Sequence, residues 1–238
     1  PRSSFTITKQ IGSGNFGTVS KGELSDMYQK GSKTTVAIKA TKGTTEGVQL
    51  RDFLHEIKIM SHIRPHLNLV NMIGSCSRDL ENQRKLWLII EFCHCGELKC
   101  YLIENKKQLL SGTEDDSINS RCLLNWSHDI AKGMEFLSSN NIRHGDLAAR
   151  NVMLDDSPIQ SGRPVAKVAD FGLSKQLETG QNYKKENSLM INLKNIKSFI
   201  KRWLALTKNV QYSFKLFTIV IFLWTYPSPK YKSKLSQI

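Results

Sequence analysis

His144-Gly145-Asp146-Leu147-Ala148-Ala149-Arg150-Asn151 is the stretch on which the reading of this chain turns. An Asp and an Asn five residues apart in one loop can divide two tasks. Asp146 can accept a hydroxyl proton while Asn151 holds a metal ion. Downstream, Asp170-Phe171-Gly172 offers a carboxylate to Mg²⁺, a hard cation that prefers oxygen ligands. Upstream, Gly12-Ser-Gly14-Asn-Phe-Gly17-Thr-Val19 is a glycine-rich loop whose backbone can approach phosphates closely. A dinucleotide-binding loop shares that spacing but needs a helix directly after the glycines. Here Thr18-Val19-Ser20 and then Gly22 read as the return strand of a hairpin. Val36-Ala37-Ile38-Lys39 begins 19 residues after Gly17. In a strand, Ala37 and Lys39 share one face, so a small residue admits a flat ring and the ammonium reaches its phosphates. A lone strand lysine is ordinarily solvated, and so is a lone helix glutamate. Glu56 stands at i+3 from Phe53 on the next helix, close to its buried face, where a carboxylate can hold Lys39 in place. Each motif alone is common, but all five in this order are a poor match to coincidence.

The rest of the chain supplies a frame. Phe5 to Ile11, Thr18 to Leu24 and Thr34 to Thr41 read as strands. Residues 48–63 switch to helical period through Phe53, Ile57, Met60 and Ile63. Val70 to Cys76 and Lys85 to Phe92 are short apolar runs suited to strands. Gly96 to Glu104 reads as a short helix, and Asn105 to Arg121 as a polar, acidic loop insertion. Leu123, Trp126, Ile130, Met134 and Leu137 step along a long amphipathic helix. Val152–Leu154 and Ala166–Ala169 read as short strands around a Ser/Gly/Pro turn at 157–164. A strand lobe followed by a helical lobe, joined near 92–95, is the architecture these patterns predict.

Composition narrows the class. The 238 residues are 39% hydrophobic and 23% charged, ordinary for a globular protein. The chain starts at Pro1 with no signal peptide and reads as a piece of something longer. The apolar run Leu216 to Trp224 is far shorter than the roughly 20 residues a spanning helix needs. Five cysteines without paired spacing argue against zinc and disulfide frameworks and for reduced thiols. The net charge of +13 suggests nucleic acid at first sight. Yet residues 187–238 hold nine Lys/Arg, no Asp or Glu and no Gly, so residues 1–186 carry only 13 − 9 = +4. A basic patch on the folded part is unsupported, and no nucleic-acid partner is expected.

The order and wording of the motifs resemble the protein-kinase signature set. Asp-Leu-Ala-Ala-Arg-Asn resembles the tyrosine-kinase form of the catalytic loop; serine/threonine kinases usually carry Lys two residues after the Asp. Further stretches resemble the receptor class that includes the VEGF, PDGF and stem-cell-factor receptors. These are His66-Leu-Asn-Leu-Val-Asn-Met-Ile-Gly74-Ser-Cys76, Ile90-Glu-Phe-Cys93 followed by Cys95-Gly-Glu-Leu, and Lys132-Gly-Met-Glu-Phe-Leu137. The resemblance runs from Pro1 to about Lys185. It implies an α+β, bilobal protein-kinase-like fold, with an antiparallel five-stranded N-lobe bearing one helix and a mainly helical, truncated C-lobe. The domains it implies are an N-lobe at 1–92, a partial C-lobe at 93–186 with a short insert at 105–121, and a basic tail at 187–238.

The resemblance also implies roles. Gly12, Gly14 and Gly17 would cover the phosphates of ATP, and Lys39, held by Glu56, would contact the α/β-phosphates. Ile11, Val19, Ala37 and Met153 would sandwich adenine, with Ile90 as gatekeeper and the backbone of Glu91 and Cys93 hydrogen-bonding the ring. Asp146 would be the base, with Arg150 among the catalytic residues and Asn151 and Asp170 as Mg²⁺ ligands. Tyr183 stands where an activation-loop phosphotyrosine belongs. Implied partners are ATP and protein tyrosine substrates. The implied setting is the cytoplasmic portion of a plasma-membrane receptor that dimerises.

Three departures stand out. Gly145 replaces the arginine of His-Arg-Asp, the segment from Asn151 to Asp170 is several residues longer than is typical for the family, and the tail lacks Ala-Pro-Glu and Asp-x-Trp-x-x-Gly. Echoes remain in Lys201-Arg-Trp203-Leu-Ala, Thr207 to Lys215, Leu223-Trp224 and Tyr226 to Pro229. The tail reads as a decayed, mis-spliced or partly mistranslated C-lobe, against a genuine divergent domain. Three functions therefore stand side by side: an ATP-dependent tyrosine kinase, a nucleotide-binding pseudokinase or scaffold, and a product that does not fold stably. The missing arginine generates a prediction. That side chain normally pairs with a phosphorylated activation loop through charge-assisted hydrogen bonds, which glycine cannot make. Tyr183→Phe is therefore expected to keep most of the peptide-phosphorylation rate; loss of most of it would contradict this reading.

Overall fold

The computed structural model describes residues 5–14, 17–27, 29–41, 47–77, 86–105, 120–156 and 163–176. Tyr183, the tail at 187–238, most of the insert and most of the 157–164 turn lie outside them. Five strands, β1 (Phe5–Gly14), β2 (Gly17–Ser25), β3 (Lys33–Ala40), β4 (Met72–Cys76) and β5 (Trp87–Glu91), form one antiparallel sheet in the order β1-β2-β3-β5-β4. One helix, α1 (Val48–His62), interrupts them in sequence.

Strand alternation divides the sheet's two faces. Val36, Ile38 and Ala40 of β3 join Trp87 and Ile89 of β5 in one buried cluster. The intervening residues, Ala37 and Lys39 on β3 and Leu88 and Ile90 on β5, point to the opposite side. Leu88 is buried there with Phe53, Ile59 and Met60 of α1, and Ile90 packs against the same cluster. That cluster continues into Leu137, Ile142, Val168 and Phe171, so one apolar core runs from the sheet into the second half of the chain.

The second half is built on α2 (Leu98–Glu104) and α3 (Ser120–Ser139). Short strands surround them: β6 (Gly96–Glu97), β7 (Ile142–Arg143), β8 (Val152–Asp155), β9 (Val165–Val168) and β10 (Lys175–Gln176). β6, β8 and β9 form a three-stranded sheet, and β7 pairs with β10. Trp126 of α3 is buried, donates Nε1–H to the Pro164 carbonyl at 3.0 Å and meets Tyr101 edge-on. Asp129, also on α3, receives both Arg163 (2.8 Å) and the Ala166 N–H (3.2 Å), which ties the helix to the head of β9.

Several sequence expectations shift. The short helix begins at Leu98 instead of Gly96, because Gly96 and Glu97 pair with Leu154 and Met153 as strand β6. The long helix begins at Ser120, inside the segment expected to be loop. β7 and β10 were not anticipated; two residues are too few to show a period.

Gly133 explains how closely α3 can lie against the chain at 68–69. A Cβ placed there would sit 2.5 Å from the Asn68 carbonyl oxygen and 3.2 Å from Leu69. Alanine favours a helix interior over glycine by about 1 kcal/mol, but overpacking against backbone costs about 1–3 kcal/mol. Gly133→Ala is therefore expected to lower stability by about 1 kcal/mol in urea unfolding, despite alanine's better propensity. A variant as stable as the wild type would show that α3 is not seated this tightly.

Candidate active site

A largely buried ion pair joins β3 to α1. Lys39 Nζ lies 2.8 and 2.7 Å from Oε1 and Oε2 of Glu56. Their side chains are 14% and 5% exposed. β3 aims Lys39 toward α1, and the helical period places Glu56 on the face that carries Phe53, Ile59 and Met60. Burial pushes the Glu56 carboxyl above its ordinary value, while the Lys39 ammonium and the Phe171 backbone N–H pull it back. Lys39 also stands 3.6 Å from Oδ1 of Asp170. The ammonium thus sits between two carboxylates, one buried and one 40% exposed.

Asp170 has φ +63°, a left-handed conformation that costs a non-glycine residue free energy, although Asp tolerates it better than most. The turn carries the Phe171 ring into the core between α1 and His144, with ring centroids of Phe171 and His144 5.4 Å apart. α1 grips the same segment through His55 Nε2, 2.8 Å from the Ser174 carbonyl.

Residues 144–151 form the facing loop. Arg150 Nη2 donates to both oxygens of Asp146 at 2.8 Å. Asn151 Nδ2 donates to the Asp146 carbonyl at 2.7 Å and to Oδ2 at 2.8 Å. A single turn at Ala149–Asn151 brings both donors back onto the Asp. Because its amide nitrogen is spent on Asp146, the oxygen is the group Asn151 has left to offer a cation.

This loop is laced to the Asp-Phe-Gly segment. His144 Nε2–H donates to the Ala169 carbonyl at 3.0 Å, Ser174 Oγ donates to the His144 carbonyl at 3.0 Å, and the Ala169 N–H donates to the Asn151 carbonyl at 2.8 Å. β10 then pairs with β7. Gly145 sits where the two strands of chain touch. Its φ is +90°, and a Cβ would fall 2.4 Å from the Leu173 carbonyl oxygen. An arginine at 145 is therefore not accommodated without moving Leu173 or the loop.

The residues expected around a flat ring come from five strands and the segment after β5. Gly12 pairs with Val19, Val19 with Lys39, and Ala37 with Ile90, which sets them side by side across the sheet. Gly14 and Gly17 close the β1–β2 turn opposite one another. Ile11 is 49% exposed, Ala37 and Cys93 are buried, and Met153 lies on β8 below the sheet. Glu91 is more constrained than expected. Its N–H donates to the Asn71 carbonyl (3.0 Å), Oε1 accepts from Asn71 Nδ2 (2.9 Å), and Oε2 accepts from Lys167 (2.7 Å). Asn71 and Lys167 gave no sequence signal; both act from 20 or more residues away in the chain. Burial pushes the Cys93 thiol far above its ordinary range, so it is not a nucleophile.

His144 makes the loop sensitive to acid. Burial lowers its pKa, opposed by the Ala169 bond and by Asp170 and Asp146. In the neutral form Nε2–H donates to Ala169 and Nδ1 accepts the Asp146 N–H at 3.3 Å. The folded value lies below the unfolded value of about 6.5, so the unfolded chain binds more protons in that window. The stability due to neutral His144 is complete above about pH 6.5 and is lost as pH falls below it. The Tm difference between wild type and His144→Asn is expected to be larger near pH 7.5 than near pH 5.5. An equal difference at both would contradict a neutral, buried His144.

Comparison with known proteins adds the lineage. Residues 5–213 match the model described as protein tyrosine and serine/threonine kinase, which extends past Lys185 over the first of the tail's echoes. The chain is 30% identical over 190 residues to a tyrosine kinase receptor Cad96Ca of Drosophila melanogaster, covering 79% of this chain and 23% of that protein. It is 29% identical over 204 residues to fibroblast growth factor receptor homolog 1 of the same organism, covering 82% and 26%. A fibroblast growth factor receptor of Ciona intestinalis is 31% identical over 196 residues, covering 78% and 25%. The chain spans about a quarter of the length of these curated relatives.

Proposed function

The chain belongs to the protein tyrosine and serine/threonine kinase family, and on that premise we propose that it transfers the γ-phosphoryl group of ATP to tyrosine hydroxyls of protein substrates. The observation that carries this is the Lys39–Glu56 ion pair with Asp170 beside it, linked through Ala169 to the loop on which Arg150 and Asn151 hold Asp146. The tyrosine preference is supported by Ala148 two residues after Asp146, where serine/threonine kinases usually have Lys, and by Arg150 holding the Asp146 carboxylate instead.

The residues present fit Mg²⁺ and ATP. Asp170 and Asn151 form an all-oxygen donor set, as Mg²⁺ prefers. Bound Mg-ATP would supply the phosphoryl group and the charge that neutralises its oxygens. Lys39, kept in place by Glu56, would meet the α/β-phosphates, and Gly12, Gly14 and Gly17 would cover them. Ile11, Val19, Ala37 and Met153 would enclose adenine, with Ile90 at its rear. The Glu91 N–H is engaged with Asn71, so Glu91 would meet the ring through its carbonyl, and Cys93 through its N–H. Asp146, oriented by Arg150 and Asn151, would take up the tyrosine proton. Such a site works chiefly by positioning and fixed charge.

We assign 1–92 to the N-lobe, 93–186 to a partial C-lobe and 187–238 to a basic tail. The setting proposed is the kinase region of a plasma-membrane receptor that signals as a dimer, as the receptor relatives suggest. No helix among the described residues is long and apolar enough to cross a membrane. Asp146→Asn is expected to lower kcat for a tyrosine peptide by about 10²–10⁴-fold with little change in ATP affinity. Mg-ATP binding with no transfer by the wild type would instead support a nucleotide-binding scaffold.

A further inference from the structure

Among the described residues, one set of metal-ligating side chains lies apart from the site above. His94, Asp155 and Asp156 each present a ligand atom, all within 4.8 Å of one another. We propose that they bind a single Zn²⁺-class cation that bridges the segment after β5 to the end of β8.

The geometry suits such an ion. In a tetrahedral site with Zn–N and Zn–O bonds of about 2.0–2.1 Å, neighbouring ligand atoms stand about 3.3 Å apart. His94 Nδ1 and Asp155 Oδ1 are separated by 3.3 Å. Asp155 is an anchored ligand, 2% exposed. Its position is fixed by the β8–β9 pairing at Val165 and by the His94 N–H at 3.4 Å. His94 and Asp156 are exposed, so they can close on an ion without disturbing the core. An imidazole beside two carboxylates favours Zn²⁺ over Mg²⁺, which prefers oxygen alone.

Charge also favours a cation. Among the described residues, Asp155, Asp156 and Glu91 gather here beside the Lys167 ammonium. Lys167 is 2.7 Å from Glu91 Oε2 but 3.8 Å from Asp155 Oδ2, so it is chiefly engaged with Glu91. Asp155 divides its oxygens, Oδ2 toward Lys167 and Oδ1 toward His94. The proposal does not depend on phosphoryl transfer. If the transfer reading also holds, the ion would stiffen the segment that contacts the nucleotide ring.

The test is calorimetric titration of the full chain with Zn²⁺ in excess Mg²⁺, and titration with Co²⁺ followed by visible absorption. One equivalent of Zn²⁺ is expected, with tetrahedral Co²⁺ bands and a rise in Tm. His94→Ala and Asp156→Asn should each weaken binding at least tenfold and abolish the Tm rise. Both positions are exposed, and an unchanged Tm in chelator will show that the variants are folded. Absence of a one-equivalent site, or affinity unchanged in both folded variants, would overturn the proposal.

Discussion

The candidate site depends on a lysine and a glutamate that the fold has largely removed from water. Taking both charges out of solvent is costly, and the pair is held only because each group is well partnered. Glu56 receives Lys39 on both oxygens, and the same ammonium stands 3.6 Å from Asp170. Removing either partner of such a pair commonly costs about 3–5 kcal/mol, because the other charge is left buried. α1 is thereby locked to β3 and to the Asp-Phe-Gly turn at once. The left-handed Asp170 is tolerable because the Phe171 ring is captured in the core behind it.

The second constraint is the lacing of the 144–151 loop to residues 169–176. Five backbone or side-chain links hold these segments in contact: through Ala169 twice, through Ser174, and through the two β7–β10 pairs. At the closest point only glycine fits, and Gly145 stands there. The residue that the sequence presents as a lost arginine is thus a geometric requirement of this loop as it stands. Asp146 is oriented from within its own loop, by Arg150 and Asn151.

Much of this was legible in the sequence. The two-residue period of β3 predicted that Ala37 and Lys39 share a face, and the helical period of α1 put Glu56 near Phe53 on the buried side. What escaped were contacts that have no local pattern. β6, β7 and β10 are two residues long and exist because a remote partner offers hydrogen bonds. Glu91 is held by Asn71 and Lys167, 20 and 76 residues away. The His94, Asp155 and Asp156 cluster is likewise joined across about 60 residues. Periodicity reports which face a residue occupies, not which distant segment will lie against it.

The proposed function requires Lys39 and Glu56 to act as one unit in nucleotide binding and transfer. A double-mutant cycle on Mg-ATP affinity and kcat/KM, with Lys39→Met, Glu56→Gln and the combined variant, tests it directly. The account predicts strong non-additivity, with the double variant little worse than either single one. Losses that simply add, or single variants that bind and turn over like the wild type, would contradict it.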